Sequence, residues 1–60
     1  MTYKELKTFG DEIIKKNPYH TNEVQGLLEL CLDEIQEGSS EDHEIELCWN
    51  DLNDLMNKKN

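Results

Sequence analysis

Positive charge is scarce in this 60-residue chain: it has no Arg, and its 6 Lys face 14 Asp and Glu, for a formal net charge of −8. A protein that grips DNA or RNA needs cations to neutralise phosphates, so this balance argues against direct nucleic-acid binding. Long apolar runs are also missing. None exceeds three residues, as in Leu30 to Leu32, which leaves no stretch long enough to span a membrane or to act as a signal-type apolar region. Two cysteines are too few for the disulfide framework by which small secreted domains compensate for a thin core, and the expected home is a reducing cytoplasm. β-branched residues are few and no segment alternates with period two, so strands are not expected. Alanine is absent as well, while Lys, Asn, Glu and Ile are plentiful. That usage is what an AT-rich genome produces and is frequent in small phage genes.

What the chain does contain is helix punctuation. Thr2 followed by Glu5 forms a capping-box pattern, in which hydroxyl and carboxylate each satisfy a free backbone N–H at a helix start. Tyr3, Leu6, Phe9, Ile13 and Ile14 then recur at helical spacing until Asn17-Pro18 stops the pattern, with Lys15 and Lys16 at the negative end of the helix dipole. Gly10 lies on this apolar face, where it lowers helix propensity by about 1 kcal/mol relative to Ala but lets another backbone come close. A second helix is expected from Thr21 to just before Gly38, with Glu23 in its first turn. A third follows Ser39 or Ser40, has Glu41 and Asp42 in its first turn and reaches about Met56, with Lys58 and Lys59 beyond. Each helix is expected to carry charges of the favourable sign at its ends. The expected fold is therefore all-α: a single helical domain over residues 1–60, with helices at about 3–16, 21–37 and 40–56.

A repeat orders these helices. Residues 28–37 (LELCLDEIQE) match residues 45–54 (IELCWNDLND) in chemical type, 17 positions apart. If the two helices fold back about a centre near Ser39, facing residues have numbers summing to about 79, which sets Val24 by Leu55, Leu27 by Leu52, Cys31 by Cys48 and Ile35 by Ile45. Every pair is apolar, so the pattern predicts a three-helix bundle built on an antiparallel hairpin of the second and third helices. Helix 2 shows a broad stripe of Val24, Leu27, Leu28, Cys31 and Ile35, flanked by Leu30 and Leu32, which suits a helix with neighbours on both sides. Helix 3 shows a narrower one, Ile45, Cys48, Trp49, Leu52, Leu55 and Met56, and Leu47 falls well off it. Leu47 is therefore the candidate exposed or interface leucine, with packing beneath helix 1 or the chain end as the alternative.

Chemistry-bearing constellations are sparse. Cys31 and Cys48 face each other and would suit a redox pair, but typical interhelical spacing of about 8–10 Å favours two small buried core residues. His20 and His43 fall at the starts of helices 2 and 3, on the order of 10–15 Å along the axis from the cysteines, too far to share a metal. The acidic run Glu41 to Glu46 lacks the central glycine and the alternating oxygen ligands of a calcium loop. No nucleophile, base and acid are spaced suggestively and no glycine-rich loop is present, so neither an enzyme nor a cofactor or metal site is expected.

The acidic surface remains. Between Asn17 and Met56 lie 11 of the 14 acidic residues and no Lys or Arg. By helical angle Glu29, Asp33, Glu37, Glu44, Asp51 and Asp54 fall largely away from the apolar stripes. Ordinary surfaces mix both signs, and a one-sided field either serves solubility alone or steers the protein onto a basic surface. The function expected is a non-catalytic acidic protein-binding module, an inhibitor or modulator of the phage anti-defence or host-takeover type. It would act as a nucleic-acid mimic, occupying a basic surface of a host protein. Partner-binding residues would be Glu29, Asp33, Glu37, Glu44, Leu47, Asp51 and Asp54, with Tyr19 or Trp49 as further apolar anchors, although a Trp in the position of Trp49 is more often a core residue than an anchor. The alternative is a self-associating structural or regulatory module, a homodimer made through Leu30, Leu32 and Leu47, which the −8 charge opposes.

Overall fold

The computed structural model describes residues 1–58 and contains three α-helices: α1 (Tyr3–Lys16), α2 (Thr21–Gln36) and α3 (Glu41–Asn57). No strand occurs among the described residues. The capping box forms as expected, with the Thr2 N–H donating to Glu5 Oε1 at 3.1 Å and the Glu5 N–H donating to Thr2 Oγ1 at 3.3 Å. At the other end of α1, Asn17 does more than stop the helix. Its side chain accepts from the Tyr19 N–H, and Pro18–His20 form a single 3-10 turn that leads directly into α2. The Thr21 hydroxyl does not cap α2 but donates back to the Pro18 carbonyl at 2.6 Å.

Gly38 closes α2. It adopts φ +107, which favours glycine because it has no Cβ. The Ser39 N–H then reaches the Glu34 carbonyl and the Gly38 N–H the Ile35 carbonyl, the paired bonds of a Schellman ending. Ser40 holds the N-cap position of α3 but makes no side-chain hydrogen bond there. The expectation of favourable charge at every helix end needs correction. Neither α2 nor α3 has a basic residue in its last turn, and α2 ends instead among Asp33, Glu34 and Glu37. Lys58 follows α3 as its C-cap, while Lys59 lies outside the described residues.

The three helices pack against one another in an up-down-up bundle, with α2 and α3 as the expected antiparallel hairpin. The core takes Leu6 and Ile13 from α1, Val24, Leu28 and Cys31 from α2, and Ile45, Cys48, Leu52 and Leu55 from α3. Gly10 is buried against α2, but side chains rather than backbone fill the space it leaves: a Cβ there would lie 2.9 Å from Val24 Cγ1 and 3.2 Å from Leu28 Cδ1. Phe9 of α1 stacks on Trp49 of α3, their ring centroids 4.2 Å apart. Two stripe assignments change. Leu30 and Leu32, the flanks of the broad α2 stripe, are exposed, because α1 and α3 cover only the Val24–Leu28–Cys31 side of the helix. Met56 is exposed too, its position in the final turn of α3 leaving it at the end of the bundle.

Candidate functional site

Two antiparallel helices enclose two grooves, one on each side of their plane. In this bundle α1 fills one of them, through Gly10 against Val24 and Leu28 and through Phe9 against Trp49. The other groove is open. Its walls and floor are Leu27, Leu30 and Cys31 from α2 with Glu44, Leu47, Cys48 and Asp51 from α3, around a depression of about 110 Å³. The groove exists because of the repeat: equivalent positions of two similar helices meet, and the small Cys31 and Cys48 face each other where larger residues would fill the gap. The Cys48 thiol donates to the Leu27 carbonyl at 3.5 Å, joining the two helices at the groove floor.

Three expected partner-binding residues, Glu44, Leu47 and Asp51, therefore share one groove. Leu47 is 46 % exposed and Leu30 on the opposite wall is 56 % exposed. Glu29, Asp33, Glu37 and Asp54 are exposed but do not line it. Helical angle places Asp33 and Glu37 next to Leu30 on the α2 surface, whereas Glu29 lies further round the helix. Tyr19 projects into solvent at 90 % exposure. Trp49 is half-buried on the α1 side, away from this groove. Leu30 is the residue that reading by stripes undervalued: it lies near the edge of the apolar arc, where only the position of α1 decides whether it is covered.

The charge distribution is polar along a structural division. Helix α1 carries four Lys and three acidic residues, a net of +1, while residues 21–57 carry 11 acidic residues and no Lys or Arg, a net of −11. No lysine–carboxylate contact within 4.0 Å occurs among the described residues, where His20 Nδ1 lies 4.0 Å from Glu23 Oε1. Among the described residues, no lysine of the protein contacts the hairpin carboxylates.

Both cysteines are free thiols and buried. Burial pushes the Cys48 thiol up to about 12, with Cys31 and the Asp51 carboxylate acting in the same direction. Burial also raises Cys31, aided by Glu44. Thiols held protonated in this way are poor nucleophiles and poor metal ligands, which suits the reading of them as core residues. No cluster of three or more His, Cys, Asp or Glu side chains placed to hold a metal ion occurs among the described residues. No described helix is long and apolar enough to cross a membrane. A second, shallower groove of about 400 Å³ runs between α1 and α3 along Phe9 and Trp49, lined also by Lys4, Glu5, Thr8 and Glu12. Its rim carries charges of both signs, from Lys4 and from Glu5 and Glu12. Comparison with protein-family models, with curated proteins and with solved structures finds no match to this chain.

Proposed function

We propose that this protein is a non-catalytic binding module whose acidic hairpin occupies a basic surface of a partner protein, of the kind that otherwise grips DNA or RNA, and so inhibits or modulates it. The observation that carries this reading is the segregation of charge: a net of −11 over residues 21–57 with no lysine contacting those carboxylates among the described residues. Repulsion among these groups opposes folding, whereas a basic counterpart converts the same field into faster association and rejects acidic competitors. The small size and composition fit a phage-encoded protein of anti-defence or host-takeover type acting in a bacterial cytoplasm. Affinity capture from bacterial lysate tests the proposal, using the wild-type chain and a variant carrying Glu29→Lys, Asp33→Lys, Glu37→Lys and Glu44→Lys. A basic protein held by the wild type, released by high salt, displaced by duplex DNA and lost from the variant supports it. Identical capture by both chains overturns it.

The exposed Leu30, Leu32 and Leu47 favour one second reading, a homodimer formed through the hairpin. Screening would relieve the repulsion between two copies of charge −8, so dimerisation that strengthens with salt in sedimentation identifies that case.

A further inference from the structure

We propose that the open α2–α3 groove is the docking strip of this module and that its occupant is a basic amphipathic helix of the partner, seated with an apolar side chain between Leu30 and Leu47. The inference rests on the acidic-module reading and assigns it a place and a shape. Leu30 and Leu47 stand on opposite walls and expose about half of their surface each, 56 % and 46 %, although both belong to helices whose other aliphatic residues are mostly covered. Between them the floor is made by small residues, Cys31 and Cys48, which leaves a depression of about 110 Å³ with room for a single aliphatic side chain. Glu44 and Asp51 line the same groove, and helical angle brings Glu34 and Glu37 to its α2 edge. Every charge on this rim is negative. The lysines of α1 belong to the helix that fills the opposite groove, so none competes for the rim.

These features select the occupant. An apolar seam between two acidic edges complements a chain that presents apolar residues along a line with Lys or Arg on both flanks. A helix does this with apolar residues at i, i+4 and i+7. Its shape also fits, since a helix laid along two antiparallel helices packs ridges into grooves as a fourth member of a bundle. The hairpin helices, 16 and 17 residues long, offer a track of about 24 Å at about 1.5 Å per residue. An extended peptide would find no sheet edge to extend, as no strand is present among the described residues. A second copy of this chain would bring carboxylates against carboxylates.

Three dye-labelled synthetic 16-residue helical peptides test the inference by fluorescence anisotropy at low salt. The first has Leu at i, i+4 and i+7 flanked by Lys and Arg, the second replaces those Leu by Ser, and the third replaces the basic residues by Glu. The first peptide alone should bind tightly. Leu30→Ala and Leu47→Ala should each weaken it by about 5- to 10-fold, the loss typical of a central interface side chain, while circular dichroism stays unchanged because both residues are exposed. If the first two peptides bind equally, the leucine variants change nothing and the carboxylate reversals abolish binding, the groove is not the docking strip and the acidic-module reading survives without it. If none of the peptides binds, both readings fall. Leucine-dependent dimerisation of the free protein in sedimentation would assign the strip to a second copy and overturn the inference.

Discussion

Gly10 of α1 packs directly against Val24 of α2: a Cβ added to residue 10 would sit 2.9 Å from Val24 Cγ1 and 3.2 Å from Leu28 Cδ1. Val24 is fully buried and β-branched, so its methyl has little freedom to turn away. Gly10→Ala should gain about 1 kcal/mol of helix propensity and lose about 1–3 kcal/mol to overpacking, for a net destabilisation of roughly 1 kcal/mol. The contact is with a side chain, so it can be removed. In a Val24→Ala background the same Gly10→Ala substitution should become neutral or stabilising. Urea denaturation of the four proteins of this cycle measures the reversal, and an equal effect of Gly10→Ala in both backgrounds would rule out the clash as its cause.

The hairpin turn makes a second prediction. Gly38 has φ +107 and nothing near it, so an added methyl meets backbone strain rather than a clash. Gly38→Ala should destabilise by about 1–2 kcal/mol, and Gly38→Asn by less, since Asn tolerates the left-handed region better. Thermal unfolding followed at 222 nm provides the measurement. Equal midpoints for the wild type and Gly38→Ala would show that the turn rearranges around residue 38 at no cost.

Much of this architecture is legible in the sequence for a physical reason: the hairpin depends on local periodicity and on one turn. The match of residues 28–37 to 45–54 and the glycine between them set Cys31 beside Cys48 before any coordinates are considered, and the off-stripe angle of Leu47 marks it as exposed. What depends on the placement of α1 is less readable. Whether Leu30 is covered, and whether Phe9 finds Trp49, follows from which hairpin groove α1 enters, and α1's periodicity is silent on that choice. The turn at Pro18–His20 is hidden for another reason. Its geometry comes from the Asn17 side chain and the Thr21 hydroxyl, both of which resemble ordinary helix caps when read by residue type. Three carboxyl and leucine candidates converge on one groove, but which of the remaining acids face it depends on helix rotation, not on charge counting.

The raised thiols fix the sign of a pH effect. Cys48 holds its proton up to about 12 in the folded chain against an ordinary value of 9.0, and Cys31 shifts in the same direction. Below pH 9 folded and unfolded chains are both protonated there, so the full stability is present. Above it the unfolded chain loses the proton first, and stability falls as pH rises toward 12, by up to about 1.4 kcal/mol per pH unit for each thiol. Cys48→Ala should flatten the decline of unfolding free energy between pH 9 and pH 11 relative to the wild type. Because the comparison is of slopes, the cavity left by the substitution does not confound it. The same protection should make both thiols react slowly with a disulfide reagent at pH 8 until the protein opens, and fast labelling of the native chain would contradict it.

Charge at the joint between α2 and α3 is arranged against the fold. Asp33, Glu34 and Glu37 crowd the negative end of the α2 dipole, and Glu41 and Asp42 follow across the turn with no lysine near enough to pair among the described residues. The acidic residues at the start of α3 favour that helix, so the unfavourable part is the end of α2. Glu37→Lys should therefore stabilise the free protein by about 0.3–1 kcal/mol at low salt, by meeting the dipole and thinning the field. The gain should shrink as salt is added, while the wild type itself becomes more stable. A carboxylate kept only to hold the protein in solution can be reversed with this gain and no other consequence. One that meets a basic partner cannot: Glu37→Lys should then fold better and bind worse. Denaturation at 20 mM and 500 mM NaCl, paired with affinity for the basic peptide at low salt, measures both sides. A variant that is more stable and binds as tightly as the wild type would place Glu37 outside the interface.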